Sequence, residues 1–528
     1  MQFSLALSLP RALPWVAFVA VIAVVLLAAC TSDAPSTADG GTEPSQGTDG
    51  PDPGNDGTPE SAPEEPDPDT TESPETPPAD EPGDEPPPSD DPATDVDDPT
   101  IEPGDPDGNV DPAPEEPDEP EVDPWESRRR DLLIELTDDV DVDLLREFGQ
   151  IVGERRGLPL LQDVPAFLIR RDDVDDYFTA LYSEEDLLDA EFTEATYRLL
   201  RIIGDDVNYS DLLQDLFVGL VLGFYDEDVA SFIIVSDDDH ITRRDLDTIS
   251  HEFVHALQDQ HFGLNAAFEA TLDETDAEIA LRFILEGDAR LSEALFSDVV
   301  AQFAVNLGGT SDRLPGAGGV PPLLRLIFNA PYLDGLNAVT QIVLNNGPNA
   351  VDLHIATPPA STEQVLHPEK LATGELPIAV PDPDIADALG GDWALQGTDT
   401  LGEYVIRSLL AATIGAGNGI RAAAGWGGDR LTVYNAEDAR EVLVWEVAWD
   451  DFNEALEFAG AIEEWANAQL GGRARRNEDT SYSLNGGDGA AWTITVDTSV
   501  WVVIGTDDAV VETAADAVRD LVLIGGFS

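Results

Sequence analysis

Ser231-Phe232-Ile233-Ile234-Val235, then Thr242, then His251-Glu252-Phe253-Val254-His255, is the stretch on which the reading of the fold turns. The first five residues are rich in β-branched and aromatic side chains and are bounded by polar ones, which is the composition of a short strand. Thr242 stands where a helix N-cap is needed, with Asp245 three residues on in capping-box spacing. Beyond it Leu246, Ile249, Phe253, Val254 and Leu257 recur at helical spacing, so the segment reads as an amphipathic helix. His251 and His255 are four positions apart, which puts both imidazoles on one face, one turn apart, where they can bind one ion. Glu252 follows the first histidine and can point into an open coordination position, where it can take a proton from a bound water.

Working outward, a second long helix is expected from about 274 to 303, apolar on most sides between Ala277 and Leu285 and therefore buried. Two carboxylates interrupt that run in Leu285-Glu286-Gly287-Asp288-Ala289. A catalytic zinc usually has three protein ligands, and Glu286 is read as the third, with Glu278, Asp273 and Asp276 as rivals. Asp288 is read as the acceptor for the outer nitrogen of a ligating histidine, which would fix its tautomer. Residues two apart on a helix diverge by about 200°, and Asp288 rather than Glu286 lies on the stripe Ala277, Leu281, Ile284, Leu291, Leu295. Pairing of Glu286 with Arg282 or Arg290 at i±4 is the competing reading. His261 is a weaker ligand candidate, because the Gly and His at set distances that accompany such a third histidine in metzincins are absent. A donor near developing negative charge is also needed, and His367 and Tyr332 are the candidates. His367 is a Pro-flanked residue after the short helix 362–366, which Ser361 would cap; it is equally readable as a satisfied loop residue.

The remaining pattern divides the chain. Residues 131–200 read as helical with a strand at 166–169; residues 208–222 as an apolar helix; Gly223-Phe224-Tyr225-Asp226 as a turn; residues 308–322 as a Gly/Pro-rich loop; and 323–345 as a helix. After Gly425-Trp426-Gly427-Gly428 the period changes. Strands at 431–434 and 442–449, a helix at 451–469, strands at 490–496 and 499–505 and a helix at 508–520 make a small α+β lobe. The class is therefore α+β: a mainly helical domain with a small edge sheet over 126–430, and an α+β lobe over 431–528.

Residues 1–30 read as an export signal, with Arg11 in a short positive region and an apolar run from Val16 to Ala29. The run ends Leu27-Ala28-Ala29-Cys30 at the only cysteine of the chain. This resembles the lipobox of prokaryotic lipoproteins. The resemblance implies lipidation of Cys30 and a chain held at the membrane, outside the cytoplasm; an uncleaved N-terminal anchor gives the same address. With Cys30 lipidated no disulfide can form, so the fold relies on its core and any bound metal. Residues 31–125 contain no Lys or Arg and are almost entirely Pro, Asp, Glu, Gly, Ser and Thr, which predicts a disordered, extended acidic stalk. The net charge of −81, with Lys370 the only lysine, repels anionic partners and excludes nucleic acid as one.

His-Glu-x-x-His followed by a glutamate on the next helix resembles the gluzincin group of zinc metallopeptidases, the thermolysin-like branch of the zincins. The wider stretch 220–430 is similar to a set of bacterial proteins. The matching pieces are Gly223 to Asp226, His255-Ala256-Leu257-Gln258-Asp259-Gln260-His261-Phe262, Glu286 to Ala289, and Ser361-Thr362-Glu363-Gln364-Val365-Leu366-His367-Pro368-Glu369-Lys370. The resemblance implies a zincin-like domain with one catalytic Zn2+ held by His251, His255 and Glu286, Glu252 as the base, and a peptide or protein substrate. It also implies a sheet-edge strand that pairs with extended peptide, a role 232–235 would fill. The spacing to Glu286 is longer than in thermolysin-like enzymes, and their Asn-Glu-x-x-x-Asp arrangement is absent. Two other readings stand beside it: a zinc amide hydrolase acting on non-protein substrates, and a non-catalytic lipoprotein with a structural zinc whose Trp-rich lobe (Trp426, Trp445, Trp449, Trp492, Trp501) binds a partner.

Overall fold

Four short strands make the first sheet, and their order decides which backbone edge lies beside the histidine helix. The computed structural model describes residues 129–180, 184–227, 229–236, 240–271, 274–304 and 320–525. The export signal, Cys30, the acidic stalk, Asp273 and residues 308–319 lie outside the described residues. The first sheet comprises β1 (Ile134–Glu135), β2 (Ala166–Ile169), β3 (Gly223–Asp226) and β4 (Ser231–Val235). Helix α1 (Asp139–Arg156) lies between β1 and β2, and α2 (Val174–Thr179), α3 (Glu184–Leu199) and α4 (Tyr209–Leu220) lead to β3. The strand order is β1-β2-β4-β3.

Two expectations change here. Gly223 to Asp226 is not a turn but a strand, paired antiparallel with β4 from Gly223↔Ile234 to Asp226↔Ser231. Strand β4 is not an edge: β2 lies parallel on its other side, with Ala166↔Phe232 through Ile169↔Val235 in register. Every residue of β4 is buried, and an unbroken buried apolar run is what an interior strand requires. The edge is β3.

Helix α5 (Arg243–Phe262) starts at the capping box formed by Thr242 and Asp245, and ends at Gly263, whose φ of 73° suits a residue without a β-carbon. After α6 (Leu264–Glu269), the long α7 (Thr275–Ala304) packs against α5 on one side and α8 (Pro322–Asn346) on the other. Between 279 and 289 every residue of α7 is buried. Three short helices follow: α9 (Asn349–Ala356), α10 (Thr362–Leu366) and α11 (Pro368–Thr373). Ser361 caps α10 by accepting from the Gln364 amide, as its position predicts.

The chain then passes through α12 (Ala386–Leu389) into β5 (Trp393–Asp399), α13 (Gly402–Ile414), α14 (Ala416–Ala423), β6 (Trp426–Ala436) and β7 (Glu441–Trp449). It ends with α15 (Phe452–Gln469), β8 (Arg475–Arg476), β9 (Tyr482–Asn485), β10 (Ala490–Val496), β11 (Ser499–Gly505) and α16 (Asp508–Gly525). The seven strands pair antiparallel in the order β5-β6-β7-β11-β10-β9-β8. Alternate residues serve opposite faces. Leu443, Trp445 and Val447 share a core with Phe458 and Ile462 of α15, whereas Val442 and Val444 pack with Val510 and Ala514 of α16. The sheet begins at Trp393, and β6 runs through the lobe boundary expected between 430 and 431. Trp426, Trp445, Trp449, Trp492 and Trp501 are no more than 9 % exposed, so they build the core of the lobe rather than a binding face. All described residues belong to one compact unit. No described helix is long and apolar enough to cross a membrane.

Candidate metal centre

His251 and His255 project from one face of α5 towards α7. Their Nε2 atoms are 3.0 Å apart. Glu286 Oε2 lies 3.1 Å from the first and 3.5 Å from the second. Among the described residues these three are the one set of His, Cys, Asp or Glu side chains whose ligand atoms converge within 4.8 Å, and all three are buried. A tetrahedral ion bound at about 2.0–2.1 Å separates its ligand atoms by roughly 3.3 Å, which the three spacings bracket.

The tautomers strengthen the fit. Gln258 donates through Nε2 to the Leu285 carbonyl at 3.1 Å and to Asp288 Oδ2 at 2.9 Å. The Leu285 carbonyl can only accept, so the amide orientation is set, and Oε1 faces His255 Nδ1 at 2.9 Å. His255 therefore carries its proton on Nδ1 and a lone pair on Nε2. His251 Nδ1 is likewise 2.6 Å from Glu293 Oε1. With both outer nitrogens donating, two imidazole lone pairs and a carboxylate oxygen converge on one buried point, an arrangement that a bound cation or a proton on His251 relieves. Burial acts to lower the His251 pKa, but Glu286 and Glu293 outweigh it and raise it well above the ordinary value. Burial acts to raise the Glu286 carboxyl, and the two histidines overcome it and hold it below the carboxylate range.

Glu252 is buried beside them. Its Oε2 accepts from the backbone N–H of Tyr225 on β3 at 3.1 Å. Its Oε1 is buried without a hydrogen-bond partner. Burial, reinforced by Glu286 and opposed by the histidines, pushes its pKa up, in the direction a general base near neutrality needs. Tyr332 stacks on His251, with ring centroids 6.0 Å apart and planes 19° apart. Its hydroxyl is hydrogen-bonded to Glu286, and burial together with the Glu286 and Glu252 charges pushes its pKa well up, so it stays a neutral donor.

Other sequence-based assignments fall elsewhere. His367 faces Glu403, with Nε2 2.8 Å from its Oε2, at the junction of α10 and α11. That hydrogen bond raises its pKa against burial, so His367 is committed to an ion pair rather than to the centre. Glu278 accepts from Arg282 at 2.9 Å, and Asp276 accepts from the Thr362 amide at 3.0 Å. Arg282 therefore pairs with Glu278, and Arg290 pairs with Glu293. His261 Nε2 faces the Pro159 carbonyl at 2.8 Å. Asp288 does not touch a histidine: it acts through Gln258, because residue 258 rather than a ring nitrogen lies opposite it. The supports that sequence reasoning missed are Gln258, Glu293 and the Tyr225 amide. Gln258 stands three residues after His255, and Glu293 two turns after Glu286, spacings that carried a usable signal.

Comparison with known proteins bears on the other end of the chain. A family described as a domain of unknown function (DUF8575) matches residues 393–515, which are the second sheet and its helices. No curated protein and no solved structure matches the chain.

Proposed function

We propose that this chain is a zincin-like, zinc-dependent metallopeptidase tethered outside the membrane, which hydrolyses peptide bonds with Glu252 as its base. The observation that carries the reading is the convergence of three lone pairs from His251, His255 and Glu286 beside a buried carboxylate with one unpartnered oxygen. A zinc ion held there supplies Lewis acidity towards a carbonyl and lowers the pKa of a water. Glu252 is held through Oε2 by the β3 backbone, leaving Oε1 to take the proton of the attacking water and pass it to the leaving amine. Tyr332 has one hydroxyl proton, which it gives to Glu286; turned from that carboxylate, it would donate to the carbonyl oxygen as it gains charge. Edge strand β3 lies beside the base, its Tyr225 amide donating to Glu252, and its four residues are buried.

One observation favours a second reading, a non-catalytic metal site: His251, Glu252, His255 and Glu286 are each 2 % exposed or less. Digestion of a peptide library by the purified chain, with and without chelator, separates the two. Glu252→Gln should lower cleavage by about 10²–10⁴-fold while Zn2+ binding persists. Cleavage that survives this substitution unchanged would sink the mechanism, and a chain that binds Zn2+ but cleaves nothing supports the second reading.

A further inference from the structure

We infer that Arg156, the last residue of α1, is a positioning residue for the metal centre: it fixes the tautomer of His255 through Asp288 and Gln258. The inference rests on the metal-site reading above. The connection is continuous. Arg156 Nε donates to Asp288 Oδ1 at 2.7 Å and to Oδ2 at 3.0 Å, and Arg156 Nη2 donates to Asp352 Oδ1 at 2.7 Å. Asp288 Oδ2 accepts from Gln258 Nε2, and Gln258 Oε1 faces His255 Nδ1. Nothing in the path is loose: His255 and Gln258 are wholly buried, and the side chains of Asp288 and Arg156 are 4 % and 7 % exposed.

The geometry gives the arginine its part at a particular step. A glutamine amide has two nearly isosteric orientations that exchange donor and acceptor. In the observed one, Oε1 meets His255 and holds the Nδ1–H tautomer, so Nε2 carries the lone pair that a metal needs. In the flipped one, the amide NH2 would meet His255, which needs a lone pair on Nδ1 and puts the proton on Nε2, where it blocks metal. What selects the first is the pair of acceptors facing the amide nitrogen, the Leu285 carbonyl and the Asp288 carboxylate. Arg156 holds both oxygens of that carboxylate and supplies the charge that it needs when buried. The anchor comes from a helix outside the His-Glu-x-x-His and Glu286 pair of helices. Helix α1 also touches α5 directly, through Phe148 and Phe253, whose ring centroids are 5.7 Å apart. Docking of α1 and binding of metal are thereby two halves of one equilibrium, each strengthening the other by the same factor.

The test is a double-mutant cycle read as Zn2+ affinity, by competition of the whole chain with a chromogenic chelator, and as the visible spectrum of Co2+ in its place. Arg156→Met and Gln258→Leu should each weaken Zn2+ by about 10–100-fold. The double substitution should be no weaker than the worse single one, because both cut one path. Arg156→Lys keeps the charge but cannot span both Asp288 oxygens and Asp352. It should fold and still lose several-fold affinity with an altered Co2+ spectrum, which keeps the inference testable if Arg156→Met does not fold. Effects that multiply independently, or wild-type affinity in either arginine variant, would overturn the inference. A parent chain that binds no Zn2+ would instead overturn the metal-site reading itself.

Discussion

Gly287 of α7 and Gly335 of α8 meet backbone to backbone: a β-carbon at 287 would collide with the Gly335 carbonyl, and one at 335 would lie 2.5 Å from the Phe283 oxygen. Glycine at both positions is what lets these helices touch, and Glu286 and Tyr332 sit on either side of the contact. Gly287→Ala is expected to destabilise the chain by about 1–3 kcal/mol, the usual cost of overpacking a core. Chemical denaturation in the presence of chelator measures it. The same variant should bind Zn2+ more weakly, because its neighbour Glu286 moves with the helix. A variant as stable as the parent would show that the two helices separate freely.

Metal removal should cost stability in a concentration-dependent way. Above saturation each tenfold rise in free Zn2+ adds about 1.4 kcal/mol to unfolding, so thermal midpoints should climb with added Zn2+ and fall in chelator. Glu286→Gln should flatten that dependence. A midpoint indifferent to Zn2+ in the parent chain would count against an ion at this position.

Tyr332→Phe should leave KM within a few-fold while lowering kcat by about 10²–10³-fold, as for loss of one donor to an oxyanion. Steady-state kinetics on the best substrate from the peptide library decides the point. A raised KM with kcat intact would make Tyr332 a wall of the pocket instead.

Asp399 gives a pH prediction far from the metal. Burial pushes its carboxyl from 3.8 up to about 7, although its Oδ1 accepts from the Thr275 and Thr400 amides at 2.9 and 2.7 Å. Between those two values the folded chain holds a proton that the unfolded chain has released, so stability falls as pH rises through that window. Asn at 399 keeps an oxygen for both amides and cannot ionise. Urea midpoints at pH 5, 6, 7 and 8 should decline less for Asp399→Asn than for the parent; parallel curves would rule out this carboxyl as the source.

Local chemistry was legible in the residues; long-range pairing was not. Strands at 231–235, 490–496 and 499–505 and the Thr242–Asp245 box follow from composition and spacing within a few residues. Whether β4 is an edge depends on β2, some 65 residues earlier, and on a four-residue β3 too short to show a period. The stripe on α7 favoured Asp288 over Glu286 because it assumed one buried face. With α5 and α8 packed on different sides, 279–289 is buried all round and both carboxylates point inward. The histidine pair could be read from five residues; Gln258 and Glu293 needed the partner helix before their spacing meant anything.

The triad also has a mechanical meaning. His251 and Glu286 are 35 positions apart, and a chain with a single cysteine has no intramolecular sulfur bridge to draw on. An ion gripped by both helices closes that loop as a reversible cross-link. The chain-entropy estimate for a loop of this length is about 4 kcal/mol taken from the unfolded ensemble. On the proposed metal-site reading, durability against unfolding would then rise and fall with the supply of that ion.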